Sequence, residues 1–165
     1  REAACQSLWV AGADCTPVRS ADPESGSVAA CHAGWRGVAA GILTTAISQL
    51  EASGCRREQL LVALGPAVSG PNYQVERSTS EQLGPIDDLQ AAGALLDDPQ
   101  EGRDRLDIRR AAHWQLLQFG LRTEQISICP LCTVAEPELF HSWRRDQVKA
   151  VQWSGIVSQN ADTPR

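Results

Sequence analysis

Thiol and imidazole meet glycine and turn formers in two short segments of this chain, Ala13-Asp14-Cys15-Thr16-Pro17 and Cys31-His32-Ala33-Gly34-Trp35-Arg36-Gly37. Cys15 lies at one strand-turn junction and His32 at another, so pairing of strands would bring the two together. A soft thiolate and a borderline imidazole suit Zn²⁺, whereas an imidazole beside a thiol also activates it as a nucleophile. The residue types alone leave both chemistries open. A single Cys or His is more often an inert buried thiol or a hydrogen-bonded ring, and the glycines change that weighting here. Gly34 and Gly37 permit a backbone to approach a ligand closely. A helix beginning near Gly37 would present free N–H groups and a positive dipole end beside Arg36, a place that fits a phosphate or carboxylate. Trp35 either stacks on a planar ligand or wedges the turn.

Other chemistry-bearing residues are more ambiguous. Cys129-Pro130-Leu131-Cys132 has metal-ligand spacing, but no second such pair stands near it, so Cys129 reads as structural. The adjacent cations Arg144 and Arg145 sit among aromatics in Phe140-His141-Ser142-Trp143-Arg144-Arg145-Asp146, where they either grip an anion or pair with acidic neighbours. His113 lies one step off the apolar stripe of its helix and reads as a boundary residue.

Positioning these groups requires a scaffold, and hydrophobic periodicity outlines one. Residues 7–11 and 27–31 are short apolar runs around the turn formers Asp22-Pro23-Glu24-Ser25-Gly26, which reads as strand, turn, strand. After Gly37 the period becomes helical, with Ala39, Leu43, Ile47 and Leu50 on one stripe and Gly54 as its stop. Residues 60–64 form a further buried strand running into a loop of Gly, Pro, Ser and Asn. From Glu76 to Arg105 the chain is acidic and weakly periodic, the pattern of a mobile excursion with little chemistry. Asp107 is placed to cap a helix through Phe119, ended by Gly120. Residues 125–129 and 147–153 alternate as strands, and the tail after Ser158 reads as frayed. Strands and helices mixed without a regular βαβ rhythm predict an α+β, layered mixed-sheet fold.

Composition excludes several classes. The 165 residues are 42% hydrophobic and 21% charged, and the net charge is −5 without a basic cluster, which argues against nucleic acid or an anionic membrane as the main partner. No apolar run approaches the ~18 residues of a membrane span, and no export signal precedes Cys5, so a cytoplasmic protein with reduced thiols is expected. The chain has no Met and opens on Arg1, which leads to the expectation of a fragment lacking its N-terminus.

With these residues in view, the chain resembles the multicopper polyphenol oxidase (laccase-like, YfiH) family, whose members are mostly described as purine nucleoside phosphorylases. The resemblance runs through ADCTP at 13–17, HAGWRG at 32–37, GPAVSGPNYQV at 65–75, CT at 132–133, EPELFHSWRRD at 136–146 and VQWSGI at 151–156. It implies a layered α/β/β/α arrangement of mixed sheets, here one domain over 1–158, N-terminally incomplete, followed by a short tail at 159–165. It also implies a metal, zinc with copper as the alternative, held by Cys15, His32 and a further histidine upstream that has no counterpart in this chain. The implied activity is phosphorolysis of adenosine, inosine and methylthioadenosine to free base and ribose 1-phosphate, with deamination of adenosine. The implied partners are thus purine nucleosides and phosphate.

On that reading Cys15, His32 and Arg36 are the catalytic candidates. Gly34, Trp35, Gly37, Tyr73, Arg144 and Arg145 are the substrate-binding candidates. Asp14 either orients a ligand or stabilises a turn. Where relatives carry Cys this chain has Pro71 and Asn72, and Arg19 with Ser20 interrupts an otherwise apolar strand, which predicts an exposed edge there. Three alternatives stand beside the phosphorylase. Oxidation of phenols needs blue-copper and trinuclear sites that one Cys and a few His do not build. A Cys15–His32 amide hydrolase acting on peptidoglycan precursors would be alkylation-sensitive and metal-independent. An impaired fragment would only bind ligand.

Overall fold

The structure, a computed structural model, describes residues 5–159. In chain order its strands are β1 (Ser7–Gly12), β2 (Thr16–Ala21), β3 (Val28–Ala33), β4 (Leu61–Leu64), β5 (Gln74–Glu76), β6 (Leu95–Asp97), β7 (Arg103–Leu106), β8 (Ile126–Ile128) and β9 (Gln152–Val157). Its helices are α1 (Trp35–Ala39), α2 (Ile42–Ala52), α3 (Arg77–Ser80), α4 (Ile86–Ala91), α5 (Ile108–Gln118) and α6 (Trp143–Asp146). The central sheet has the order β3-β2-β4-β8, with β8 parallel to β4 and the rest antiparallel. A two-stranded ribbon β1-β9 and a three-stranded sheet β5-β7-β6 complete an α+β architecture.

Register decides which face each side chain takes. Val18 stands opposite Cys31 and Leu64, and Val62 opposite Ile126. These residues share one face, where they join Leu43, Ile47 and Leu50 of α2 and Ala112 and Leu116 of α5 in one core. Each buried Leu or Ile there contributes roughly 1.5–3 kcal/mol relative to exposure. The other face carries Pro17 opposite His32 and Arg19 opposite Ala30 and Ala63. Alternation therefore sends His32 away from the helices, toward the β1-β9 ribbon.

The hairpin at 22–27 forms as its residues dictate. Asp22 accepts a hydrogen bond from the Glu24 amide at 2.9 Å, and Gly26 takes φ +72°. It joins β2 to β3, however, not the strand at 7–11 to that at 27–31. The sequence pattern gave β2 only as an apolar strand interrupted by Arg19 and Ser20, without its bounds or its pairing. It is an interior strand and not the expected exposed edge, with Arg19 on the helix-free face. The single helix expected after Gly37 is two helices: α1 already begins at Trp35, capped by Gly34, and the left-handed Gly41 (φ +74°) separates it from α2. Gly37 lies inside α1.

The acidic stretch 76–105 is not an excursion. Leu89, Leu95 and Leu106 are buried, and charges that read as solvated are paired between elements: Arg103 with Glu76 at 2.6 Å, Arg77 of α3 with Asp104 at 3.1 Å, and Arg105 with Asp98. The strand expected at 147–153 begins instead at Gln152, because Gln147 takes a left-handed conformation (φ +55°) at the end of α6 and pairing starts with Gly12 opposite Gln152. Ser158 and Gln159 bond to Gln6 and Gly26. The rest of the expected frayed tail, like Arg1, lies outside the described residues. Among the described residues no helix is long and apolar enough to cross a membrane.

Candidate functional site

Cys15 ends the loop between β1 and β2, and His32 sits one residue before the end of β3. Their approach is readable through Gly34, where a Cβ would stand 2.8 Å from Cys15 Sγ and 3.8 Å from His32 Nε2. Sulfur and imidazole nitrogen thus converge on one point. His32 Nδ1 lies 2.8 Å from the Ala11 carbonyl oxygen. A carbonyl only accepts, so Nδ1 carries the proton and Nε2 keeps a lone pair. Burial, and secondarily the charge of Asp14, push the Cys15 thiol above its ordinary range. A thiolate at that position calls for a compensating cation, and the pair is the donor chemistry of a zinc site. Among the described residues no third His, Cys, Asp or Glu joins them.

Beside the pair opens a cavity of about 220 Å³ lined by Cys15, Gly34, Trp35, Arg36, Tyr73 and Arg144, with Asp14, Trp143, Val68 and Ile108 completing its wall. Two of its cations are stacked on aromatic rings: Arg36 lies 4.4 Å from the centroid of Trp35 and Arg144 lies 4.9 Å from that of Tyr73. Burial raises the Tyr73 hydroxyl above its usual range, so it is a neutral donor at neutral pH. The cavity accordingly offers positive charge, flat apolar faces and the Cys15 thiol within one small volume, with the His32 ring near that thiol but outside the lining. A wider groove of about 470 Å³, lined by Arg19, Leu61, Gln125 and Ile156 among others, has no aromatic ring, thiol or imidazole in its lining.

Arg145 is not part of this site. Its Nε and Nη2 hold Asp146, its Nη1 donates to the carbonyls of Thr133 and Val134 at 2.8 and 3.1 Å, and its Nη2 donates to that of Phe140 at 2.9 Å. Those bonds occupy all five guanidinium donors. Gly37 does not start a helix beside a ligand either. It lies in the middle of α1, where a Cβ would stand 3.4 Å from the His32 carbonyl oxygen, so it serves helix-to-strand packing.

Two residues, one in the wall and one behind it, were not legible from residue type. Trp143 follows Ser142, whose hydroxyl accepts from the Arg145 amide at 3.2 Å, and that cap fixes the short helix presenting Trp143 and Arg144. Cys132 lies behind the loop carrying Tyr73, and its sulfur accepts from the Ser69 amide at 3.3 Å and Asn72 Nδ2 at 3.5 Å. Burial opposes ionisation of this thiol, but those bonds and others from Val134 and Ala135 outweigh it and lower the thiol.

Comparison with known proteins places this arrangement. A family model described as multi-copper polyphenol oxidoreductase laccase matches residues 2–158. A Synechocystis protein named purine nucleoside phosphorylase slr1573 is 42% identical over 171 residues, with 93% of this chain and 64% of that protein covered. Purine nucleoside phosphorylase YlmD of Bacillus subtilis is 33% identical, with 88% of this chain and 52% of that protein covered. Among solved structures, the hypothetical protein YfiH of Bacillus licheniformis superimposes with a TM-score of 0.83 at 29% identity, and YlmD of Geobacillus stearothermophilus with 0.82 at 27%. Each covers 93% of this chain, which spans 58% and 57% of theirs. The chain thus extends over roughly half to two thirds of these relatives.

Proposed function

From the premise that the chain belongs to the multi-copper polyphenol oxidoreductase laccase family, we propose that it carries the substrate cavity of a purine nucleoside phosphorylase that splits inosine, adenosine or methylthioadenosine with inorganic phosphate. The observation that carries this reading is one cavity in which two ring-stacked guanidiniums lie beside Cys15, with His32 reached through Gly34 at its edge. Phosphorolysis needs an anion held near the anomeric carbon while negative charge grows on the departing purine. Arg36 and Arg144 hold the phosphate as charge-assisted donors. Stacking on Trp35 and Tyr73 restrains both guanidiniums before the anion arrives, so less side-chain freedom is lost on binding. Trp35, Tyr73 and Trp143 offer the flat faces between which a purine lies, and the neutral Tyr73 hydroxyl supplies a donor to the sugar or base.

Cys15 and His32 would hold a zinc ion together with a donor from beyond the described residues, and such an ion supplies a Lewis acid that polarises the substrate. The same ion is the basis for proposing adenosine deamination as a second activity. The half-buried Cys15 thiol, held above its ordinary range, does not favour the Cys-His nucleophile reading, because a thiolate and not a thiol attacks.

The test is incubation of inosine and phosphate with the protein at its natural length, with products separated by chromatography. Hypoxanthine and ribose 1-phosphate are expected, and replacing either Arg36 or Arg144 by Ala should raise the KM for phosphate. Base release by the metal-loaded protein that is absent or indifferent to phosphate would overturn the proposal.

A further inference from the structure

Asp14 stands next to Cys15, yet its contacts reach far across the chain. It is buried, at 9% exposure, in a backbone conformation of φ +91° that side chains other than glycine, Asn and Asp rarely adopt. Its Oδ1 accepts from Thr133 Oγ1 at 2.7 Å, its Oδ2 accepts from the Arg144 amide at 2.7 Å, and its carbonyl accepts from the Val68 amide at 3.0 Å. Those partners belong to three separate segments, the loops of Val68 and Thr133 and the short helix α6, and Val68 and Arg144 line the cavity.

We propose that Asp14 is a positioning residue, whose carboxylate sets the place of Arg144 and Trp143 relative to the Cys15 loop. Without it Arg144 itself keeps a long 3.5 Å contact from Nη1 to the Gln74 carbonyl and the ring of Tyr73, and α6 keeps the bonds of Arg145 to the carbonyls of Thr133, Val134 and Phe140, none of which reaches the Cys15 loop. The Cys15 loop and the Arg144 wall would then move independently, and misplacement of about an ångström suffices to impair a bound anion.

The geometry specifies what a substitute must do. Arg144 needs an acceptor, whereas the Thr133 hydroxyl can turn to accept instead of donate. Asparagine meets both requirements, with Oδ1 toward Arg144 and Nδ2 toward Thr133, and it tolerates the positive φ. It keeps the shape and removes the charge. Asp14→Gly removes the anchor without straining the backbone, and Thr133→Val frees one side of the carboxylate with little change of volume.

The experiment is hydrogen exchange at the Arg144 amide together with phosphate kinetics, on the natural-length protein and the variants Asp14→Asn, Asp14→Gly and Thr133→Val. Only the kinetic arm rests on the phosphorylase reading, and an inactive parent protein with a protected Arg144 amide would count against that reading alone. In the parent and in Asp14→Asn the amide is expected to be protected, and the KM for phosphate unchanged. In Asp14→Gly protection is lost and KM rises on the order of tenfold with kcat much less affected. Thr133→Val shifts both in the same direction by less. Protection of Arg144 that survives Asp14→Gly would overturn the proposal. So would an Asp14→Asn variant as impaired as Asp14→Gly, since the charge and not the position would then matter.

Discussion

Gly34 passes so close to Cys15 that a single added methyl at its α-carbon would lie 2.8 Å from the sulfur. Its φ of −79° is ordinary, so the demand for glycine here is one of space and not of backbone conformation. Gly34→Ala should leave helix α1 intact, displace the thiol, and cost about 1–3 kcal/mol of stability, the range for overpacking. Thermal unfolding and zinc retention after dialysis check this together. A variant with unchanged Tm and unchanged zinc content would mean that the sulfur has room to yield.

The two neighbouring arginines should behave oppositely. Arg145 has every donor bound within the protein, whereas Arg144 faces the cavity with its guanidinium over Tyr73. Arg145→Ala is expected to lower Tm by leaving the carbonyls of Thr133, Val134 and Phe140 unpaired, and Arg144→Ala to preserve Tm while weakening phosphate-dependent turnover. The opposite pattern would remove Arg144 from the site.

Arg109 ties helix α5 to the loop at 129–131. It is 5% exposed, pairs with the Asp107 carboxylate, and donates to the carbonyls of Cys129 and Leu131, both at 2.8 Å. Arg109→Met should cost about 3–5 kcal/mol, because it strands a buried carboxylate. Chemical denaturation measures this, and a loss under about 1 kcal/mol would show that water replaces the guanidinium.

His113, on α5, gives the fold a mild acid sensitivity. Burial, then the charge of Arg110, depress its folded value below 6.5. The unfolded chain therefore binds the proton first, and stability is lost as pH falls from about 6.5 through the depressed value. His113→Gln should flatten stability against pH in that window. An unchanged slope would assign the sensitivity to other groups.

Much of this was legible in residue order. The hairpin at Asp22–Ser27, the cap at Asp107, the stops at Gly54 and Gly120 and the strand at 61–64, though buried on one face only, follow from short-range rules, since turn and cap energetics depend on residues a few positions apart. The junction of Cys15 with His32 was also foreseeable, because both flank strands of one hairpin. The interior place of strand β2 was not, since Arg19 interrupts a strand whose Val18 and Ser20 are buried. The sheet within 74–106 was hidden because its charges are neutralised by partners on other elements.

By itself the sequence determined the local turns, the end of α2 and both ends of α5, the family to which the chain belongs and the identity of the thiol-imidazole pair, all carried by neighbours or by motif. Only the tertiary structure decided which of two adjacent arginines faces the cavity and what Asp14 holds. Arg144 and Arg145 are equivalent in chemistry, and the backbone of α6 turns one outward and the other onto three carbonyls. The partners of Asp14 lie 119 and 130 residues away. Bonds of that span exist only once the sheets and loops between them have packed, and no local pattern encodes them.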